Sequence, residues 1–164
     1  MLAGFAELTG QPQDSPLVAA CATTYNDSYA RVHLQRTTLV DGIADVLELL
    51  TAPLAIATSK PVPFVAPLLE ALGIADCFQA VEAPAMADLD EPKEVTLARA
   101  LAALQTAGAV IVGDRDSDVA AARRNDIRAI GVTWGIGTRA ELQAAGADTI
   151  IDRPAQLLEL LAHA

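Results

Sequence analysis

At 164 residues the chain is long enough for one well-buried domain with at most a small appendage. Apolar residues make up 52% and charged residues 20%, an ordinary globular composition, and no apolar run reaches the length of a membrane span. A net charge of −10 and an aromatic content of 4% exclude a nucleic-acid surface, which needs positive charge for phosphates or rings for stacking.

The opening residues, MLAGFAELTG, carry neither a basic leader nor a sustained apolar segment, so a cytoplasmic protein without an export signal is expected. Residues 1–40 hold helical stretches around 2–8 and 16–32 and no strand; they read as a small helical lid or as two packing helices. Cys21 falls here and Cys77 later, both in apolar contexts without metal-ligand spacing, so buried free thiols are expected.

From residue 41 the pattern alternates. Residues 41–50 form a helix with Ile43, Val46, Leu47 and Leu50 on one face and Asp41 as its N-cap. A strand at 54–57 leads into Thr58, Ser59 and Lys60. A helix over 65–72 is closed by Gly73, and a strand follows at 78–81. Residues 93–105 are a strongly amphipathic helix, 109–112 a third strand, 118–125 a helix and 129–132 a fourth strand. A fifth strand at 149–151 precedes a last helix over 154–162, which begins with proline in its first turn. Short apolar strands separated by helices specify an α/β fold, a parallel sheet covered on both faces, with ligands beyond the carboxyl ends of the strands.

Chemically loaded segments fall at three of those ends. Asp114, Asp116 and Asp118 crowd three carboxylates into five positions after the third strand. Carboxylates so close repel unless a cation neutralises them, and a hard ion such as Mg²⁺ suits one or two of them plus water and phosphate. Read alone, the segment is equally a solvated turn in which Asp118 caps the next helix. Thr58, Ser59 and Lys60 offer hydroxyls, backbone N–H groups and a positive charge to a phosphate, or simply an N-cap in a loop. Lys93 opens a helix, where a cation opposes the dipole unless an anion needs it there; by itself it reads as an exposed lysine.

In the order Thr58, Lys93 and then Gly113-Asp114 with Asp118, these segments resemble motifs two to four of the haloacid dehalogenase superfamily, and more narrowly its phosphoglycolate phosphatase group. The run from Gly131, GVTWGIGTRAELQAAGADTIIDRPAQLLELL, resembles the closing segment of the same group, with Gly135 and Gly137 in the loop after the fourth strand. The resemblance implies a Rossmann-type parallel sheet over 41–164 and a partial helical cap over 1–40. It further implies Mg²⁺ as cofactor and a small phosphorylated metabolite as substrate, with no nucleic-acid or membrane partner. Thr58 would bind the transferring phosphoryl group with Ser59 and Lys60, Lys93 would steady nucleophile and phosphate, Asp114 would hold the metal, and Asp118 would be a ligand or support one. Asp116 receives no role.

One part of the family pattern is missing. The attacking aspartate of these phosphatases lies in a DxDG(T/S) motif on a central strand, between the strands read here at 54–57 and 109–112. No such motif occurs in the sequence: Asp88-Leu89-Asp90 continues into Glu91-Pro92 with no strand before it, and reads as a solvated loop. Without the central strand its two neighbours would expose unpaired edges. A truncation or a misplaced start accounts for the absence. The alternative is a degenerate relative whose sheet closes directly or with a strand from a partner chain or a second copy. The expectation is a Mg²⁺-dependent phosphohydrolase lacking its nucleophile here, or else a non-catalytic metal- and phosphate-binding protein. A receiver-type signalling domain uses similar residues in a different chain order and is set aside.

Overall fold

The computed structural model describes residues 1–106 and 108–161. Two helices come first, α1 (Leu2–Thr9) and α2 (Pro16–Arg36). The second starts where Ser15 Oγ accepts the Val18 N–H at 3.2 Å and proline occupies the first turn. It runs one turn beyond the expected end at 32. Then come α3 (Ile43–Leu49), β1 (Ala55–Ala57), α4 (Ala66–Ala71), β2 (Ala80–Glu82), α5 (Lys93–Leu104), β3 (Val110–Gly113), α6 (Asp116–Arg124), β4 (Arg128–Val132), α7 (Arg139–Ala145), β5 (Thr149–Ile151) and α8 (Gln156–Leu161).

Most elements fall where the sequence puts them. Val46 is buried on the expected face of α3, but Asp41 does not cap that helix: Gly42 is the N-cap, in a left-handed conformation with no side-chain bond. The expected closure by Gly73 is present as paired backbone bonds, Gly73 N–H to Glu70 O and Ile74 N–H to Leu69 O. The second strand sits two residues later than expected, at Ala80–Glu82, because a 3₁₀ turn (Ala75–Cys77) takes up the chain before it. The last helix begins at Gln156, and Ala162 of the expected range lies outside the described residues. Helix α7 has no counterpart in the sequence reading. Its signals are nevertheless there, Thr138 Oγ1 accepting the Glu141 N–H at 3.1 Å and Gly146 closing the far end.

The strands are all parallel but form two sheets, β1–β2 and β3–β4–β5. Among the described residues β1 pairs with β2 alone and β3 with β4 alone, so the single continuous sheet is split between β1 and β3. Alternation along the three-stranded sheet divides its side chains between two cores. Ile111 and Ala129 join Leu97, Val119, Ala122 and Leu142 on one face, while Ile130, Val132 and Ile151 join Val46 and Leu157 on the other. The smaller sheet packs Ile56 and Ala83 against Val65 and Leu69. Helix α5 crosses the split, lying against β1 and β2 on one side and α6 on the other. Val112, beside the split, is 40% exposed.

Both cysteines are free but only half-buried, short of the expected burial. No helix among the described residues is long and apolar enough to cross a membrane. Leu142 is completely buried and wedges α7 onto the sheet, where a Cβ on Gly131 would come within 3.1 Å of it. Leu142→Ala is expected to lower unfolding stability by about 3 kcal/mol, read as a fall in the urea midpoint with an unchanged slope.

Candidate functional site

The three strand ends converge. After β1, the Thr58 N–H donates to Glu82 O at 3.0 Å and carries the parallel pairing one residue further. Its Oγ1 then accepts the Lys60 N–H at 3.1 Å, a side-chain turn that points the loop and leaves the hydroxyl proton free for an outside acceptor. No helix N-cap is formed here. The Lys60 ammonium reaches the Tyr29 hydroxyl on α2 and lies 4.6 Å from the centroid of that ring.

After β2 the chain enters a loop anchored from two sides. Arg99 donates to both oxygens of Glu91 at 2.9 Å and from Nε to Glu82 Oε2 at 2.8 Å, and the Nη2 that meets Glu91 Oε1 also reaches Ala83 O at 3.1 Å. Buried Thr96 donates to Glu91 Oε1 at 2.6 Å. This clamp ties the β2 end to the first turns of α5 and so sets where Lys93 stands. Hydrogen bonding from Arg99, then from Thr96, holds the Glu91 carboxyl below its usual range, and Glu91 and Glu82 push the Arg99 guanidinium upward. Asp88 and Asp90 are exposed in this loop.

After β3 the acidic loop packs tightly. Asp118 is buried: its Oδ1 lies 3.0 Å from Lys93 Nζ, and its Oδ2 accepts the Arg115 N–H at 3.1 Å. It therefore closes the start of α6, as the capping reading has it, but inside a buried ion pair with Lys93 and not as a solvated turn. Gly113 is required for this approach, since a Cβ there would lie 2.4 Å from Asp118 Cβ. Asp114 Oδ2 accepts the Ile136 N–H at 2.6 Å from the loop after β4. A Cβ on Gly135 would come within 2.2 Å of that oxygen, and one on Gly137 within 1.9 Å of the Asp114 carbonyl. The two glycines thus wrap Asp114. Arg115 turns away to Glu141 at 2.9 Å, and that bond lowers the Glu141 carboxyl. Asp116 is exposed; its carboxylate accepts the Ser117 N–H at 2.7 Å, and its own N–H donates to Glu141 Oε1 at 3.4 Å.

Thr58, Ser59, Lys60, Lys93, Asp114 and Asp118 all line one cavity of about 570 Å³. A more open hollow of about 440 Å³ over α6 holds none of the six. Among the described residues no group of three or more His, Cys, Asp or Glu side chains could hold a metal ion. Two carboxylates are still a donor set suited to Mg²⁺, which takes one or two together with waters and phosphate oxygens. The glycine cradle leaves Asp114 with one oxygen bonded to the Ile136 N–H and the other unbonded among the described residues. Tyr29, Glu91, Arg99 and the Ile136 N–H were not read from the sequence as parts of the site.

A sequence profile of the haloacid dehalogenase-like hydrolases matches residues 3–132. The chain belongs to that family. Its curated relatives include phosphoglycolate phosphatases from Pectobacterium atrosepticum, 34% identical over 113 residues, and Yersinia pseudotuberculosis, 30% identical over 154 residues. Those matches cover 68% and 91% of this chain but 48% and 66% of the relatives, so the chain spans about half to two thirds of their length. Among solved structures, a predicted phosphatase from Clostridium acetobutylicum superposes with a TM-score of 0.87 at 28% identity, over 99% of this chain and 77% of the other. Membership of the haloacid dehalogenase-like hydrolases accounts for the parallel strands and for functional groups gathered at their carboxyl ends.

The lowered Glu91 carboxyl gives the clamp a pH dependence. A carboxyl with a depressed folded pKa contributes fully above its usual value of 4.5, and the contribution disappears as pH falls through the lowered one. Glu91→Gln is therefore expected to lose stability at neutral pH, with its deficit against the unsubstituted chain narrowing below about pH 4.5. Urea unfolding across a pH series measures this.

Proposed function

We propose that this chain is the metal- and phosphate-holding part of a Mg²⁺-dependent phosphohydrolase acting on a small phosphomonoester, close in kind to the phosphoglycolate phosphatases. The observation that carries the reading is the convergence of Thr58, Lys93, Asp114 and Asp118 on one cavity, with Lys93 and Asp118 3.0 Å apart. The Thr58 hydroxyl, one of its two lone pairs taken by the Lys60 N–H, donates its proton to a phosphoryl oxygen. Lys93 and Lys60 supply positive charge to a ligand that an acidic protein repels at long range. Asp114 holds Mg²⁺ through the oxygen not bonded to Ile136, and Asp118, with both oxygens engaged, steadies Lys93 and the loop. Bound Mg²⁺ neutralises phosphoryl charge. Residues 1–40 act as a helical cap over the cavity.

The 164 residues contain no DxDG(T/S) sequence. The attacking carboxylate is accordingly proposed to come from polypeptide other than these residues, on a strand added between β1 and β3. The same absence favours a second reading, a protein that binds metal and phosphate without hydrolysis. Calorimetric titration with Mg²⁺ and orthophosphate, beside a p-nitrophenyl phosphate assay, tests both. The expected result is Mg²⁺-dependent phosphate binding with no turnover by this chain, weakened about tenfold or more in Asp114→Asn and in Lys93→Met. Absence of phosphate binding sinks the site assignment; Mg²⁺-dependent hydrolysis by this chain sinks the claim that the nucleophile lies elsewhere.

A further inference from the structure

The sequence holds three phenylalanines, two tyrosines and one tryptophan, and Phe5, Tyr25, Tyr29 and Phe64 all line the cavity that contains Thr58 and Lys93. So few rings, gathered at one place, form an ordered wall. Tyr25, Tyr29 and His33 recur every fourth residue along α2 and share one face of the helix. Tyr25 and Tyr29 stack at 5.9 Å with planes 14° apart, and Tyr29 and His33 at 5.1 Å with planes 17° apart. Phe5 meets Tyr25 edge-on at 5.9 Å, and Phe64 meets Tyr29 at 5.3 Å. The column is anchored at its base, where His33 is buried and its Nδ1–H donates to Tyr29 O at 3.0 Å. At the other end Tyr25 is 49% exposed, which packing between helices alone does not call for. Asn26 lines the cavity beside it.

The charges lining the same cavity are already engaged. Lys93 meets Asp118, Arg115 meets Glu141, and Lys60 meets Tyr29. The Met1 ammonium meets Asp90. Once a phosphate dianion draws on Lys60 and Lys93, no lysine or arginine among the described lining residues is left for a second anionic group on the same ligand. Tyr25, half exposed at the cavity and stacked only against Tyr29, by contrast keeps surface free for a flat apolar one.

We propose that the cavity selects phosphomonoesters whose organic part is a flat aromatic ring, with Tyr25 as the specificity-determining residue, over small phosphorylated carboxylic acids. The proposal rests on the phosphate reading of Thr58 and Lys93 above and goes beyond it in naming the substrate class. A cavity of about 570 Å³ accommodates a single-ring ester of this kind.

The test is calorimetric titration of the full chain, in Mg²⁺, with phenyl phosphate, phosphoglycolate and orthophosphate. Phenyl phosphate is expected to bind about tenfold tighter than phosphoglycolate. Tyr25→Ala is expected to bring that ratio toward one and Tyr25→Phe to keep it, with circular dichroism verifying that both variants fold. Orthophosphate binding without an aryl preference, or a ratio indifferent to Tyr25→Ala, overturns this inference and leaves the phosphate site standing. Failure of all three ligands to bind overturns both.

Discussion

The contact between Lys93 and Asp118, 3.0 Å long with side chains only 16% and 11% exposed, joins the two halves of the molecule at the cavity. Lys93 opens α5, which rests on β1 and β2, whereas Asp118 belongs to α6, which follows β3. A cation at a helix N-terminus is unfavourable against the dipole, and the carboxylate opposite offsets that cost. Pairs removed this far from water add little net stability, yet losing one partner leaves an uncompensated charge worth about 3–5 kcal/mol. Their worth is in orientation. Asp118 is held on its other side by the Arg115 N–H, so the lysine is aimed by a carboxylate that cannot swing away.

The split between β1 and β3 makes this pair more consequential. Main-chain hydrogen bonds do not run across the sheet at that point among the described residues, so cohesion there falls to α5 and to side chains. Leu97 on α5 belongs to the core that Ile111 and Ala129 enter from the larger sheet, and Ala57 on β1 packs against the same cluster. The Arg99 clamp then locks the smaller sheet's end to the same helix. An unpaired parallel edge is a template for another strand, and two such edges flank the cavity where the proposed chemistry needs an additional carboxylate. The unpaired edges and the place of the proposed carboxylate coincide.

Close approach governs the acidic loop. Gly113 lets Asp118 fold back onto the end of β3, and Gly135 and Gly137 let the loop after β4 close around Asp114. The loop after β4 thereby acts on the loop after β3, its neighbour in the sheet. A carboxylate whose one oxygen is already bonded to Ile136 N–H presents the other with little freedom left to lose on binding a cation. Helices α1 and α2 contribute differently, setting the rings of Phe5, Tyr25 and Tyr29 at the cavity.

Much of this was legible in the sequence. The order of helices and strands follows from apolar runs and turn residues, whereas Thr58, Lys93, Asp114 and Asp118 form a group in the sequence only through their resemblance to the motifs of the haloacid dehalogenase family. Local patterns were misread where two signals competed. Asp41 is a plausible cap beside a glycine that takes the position instead, and Thr138 with Glu141 caps a helix too short for its apolar pattern to stand out. What tertiary structure alone decided was pairing across distance: Arg99 with Glu91 and Glu82, Tyr29 with Lys60, Asp114 with a backbone N–H 22 residues away. Sequence determines which groups are available and which face of an element they share, because those depend on local backbone periodicity. Which partner each one meets depends on how the elements pack, and no local pattern carries that.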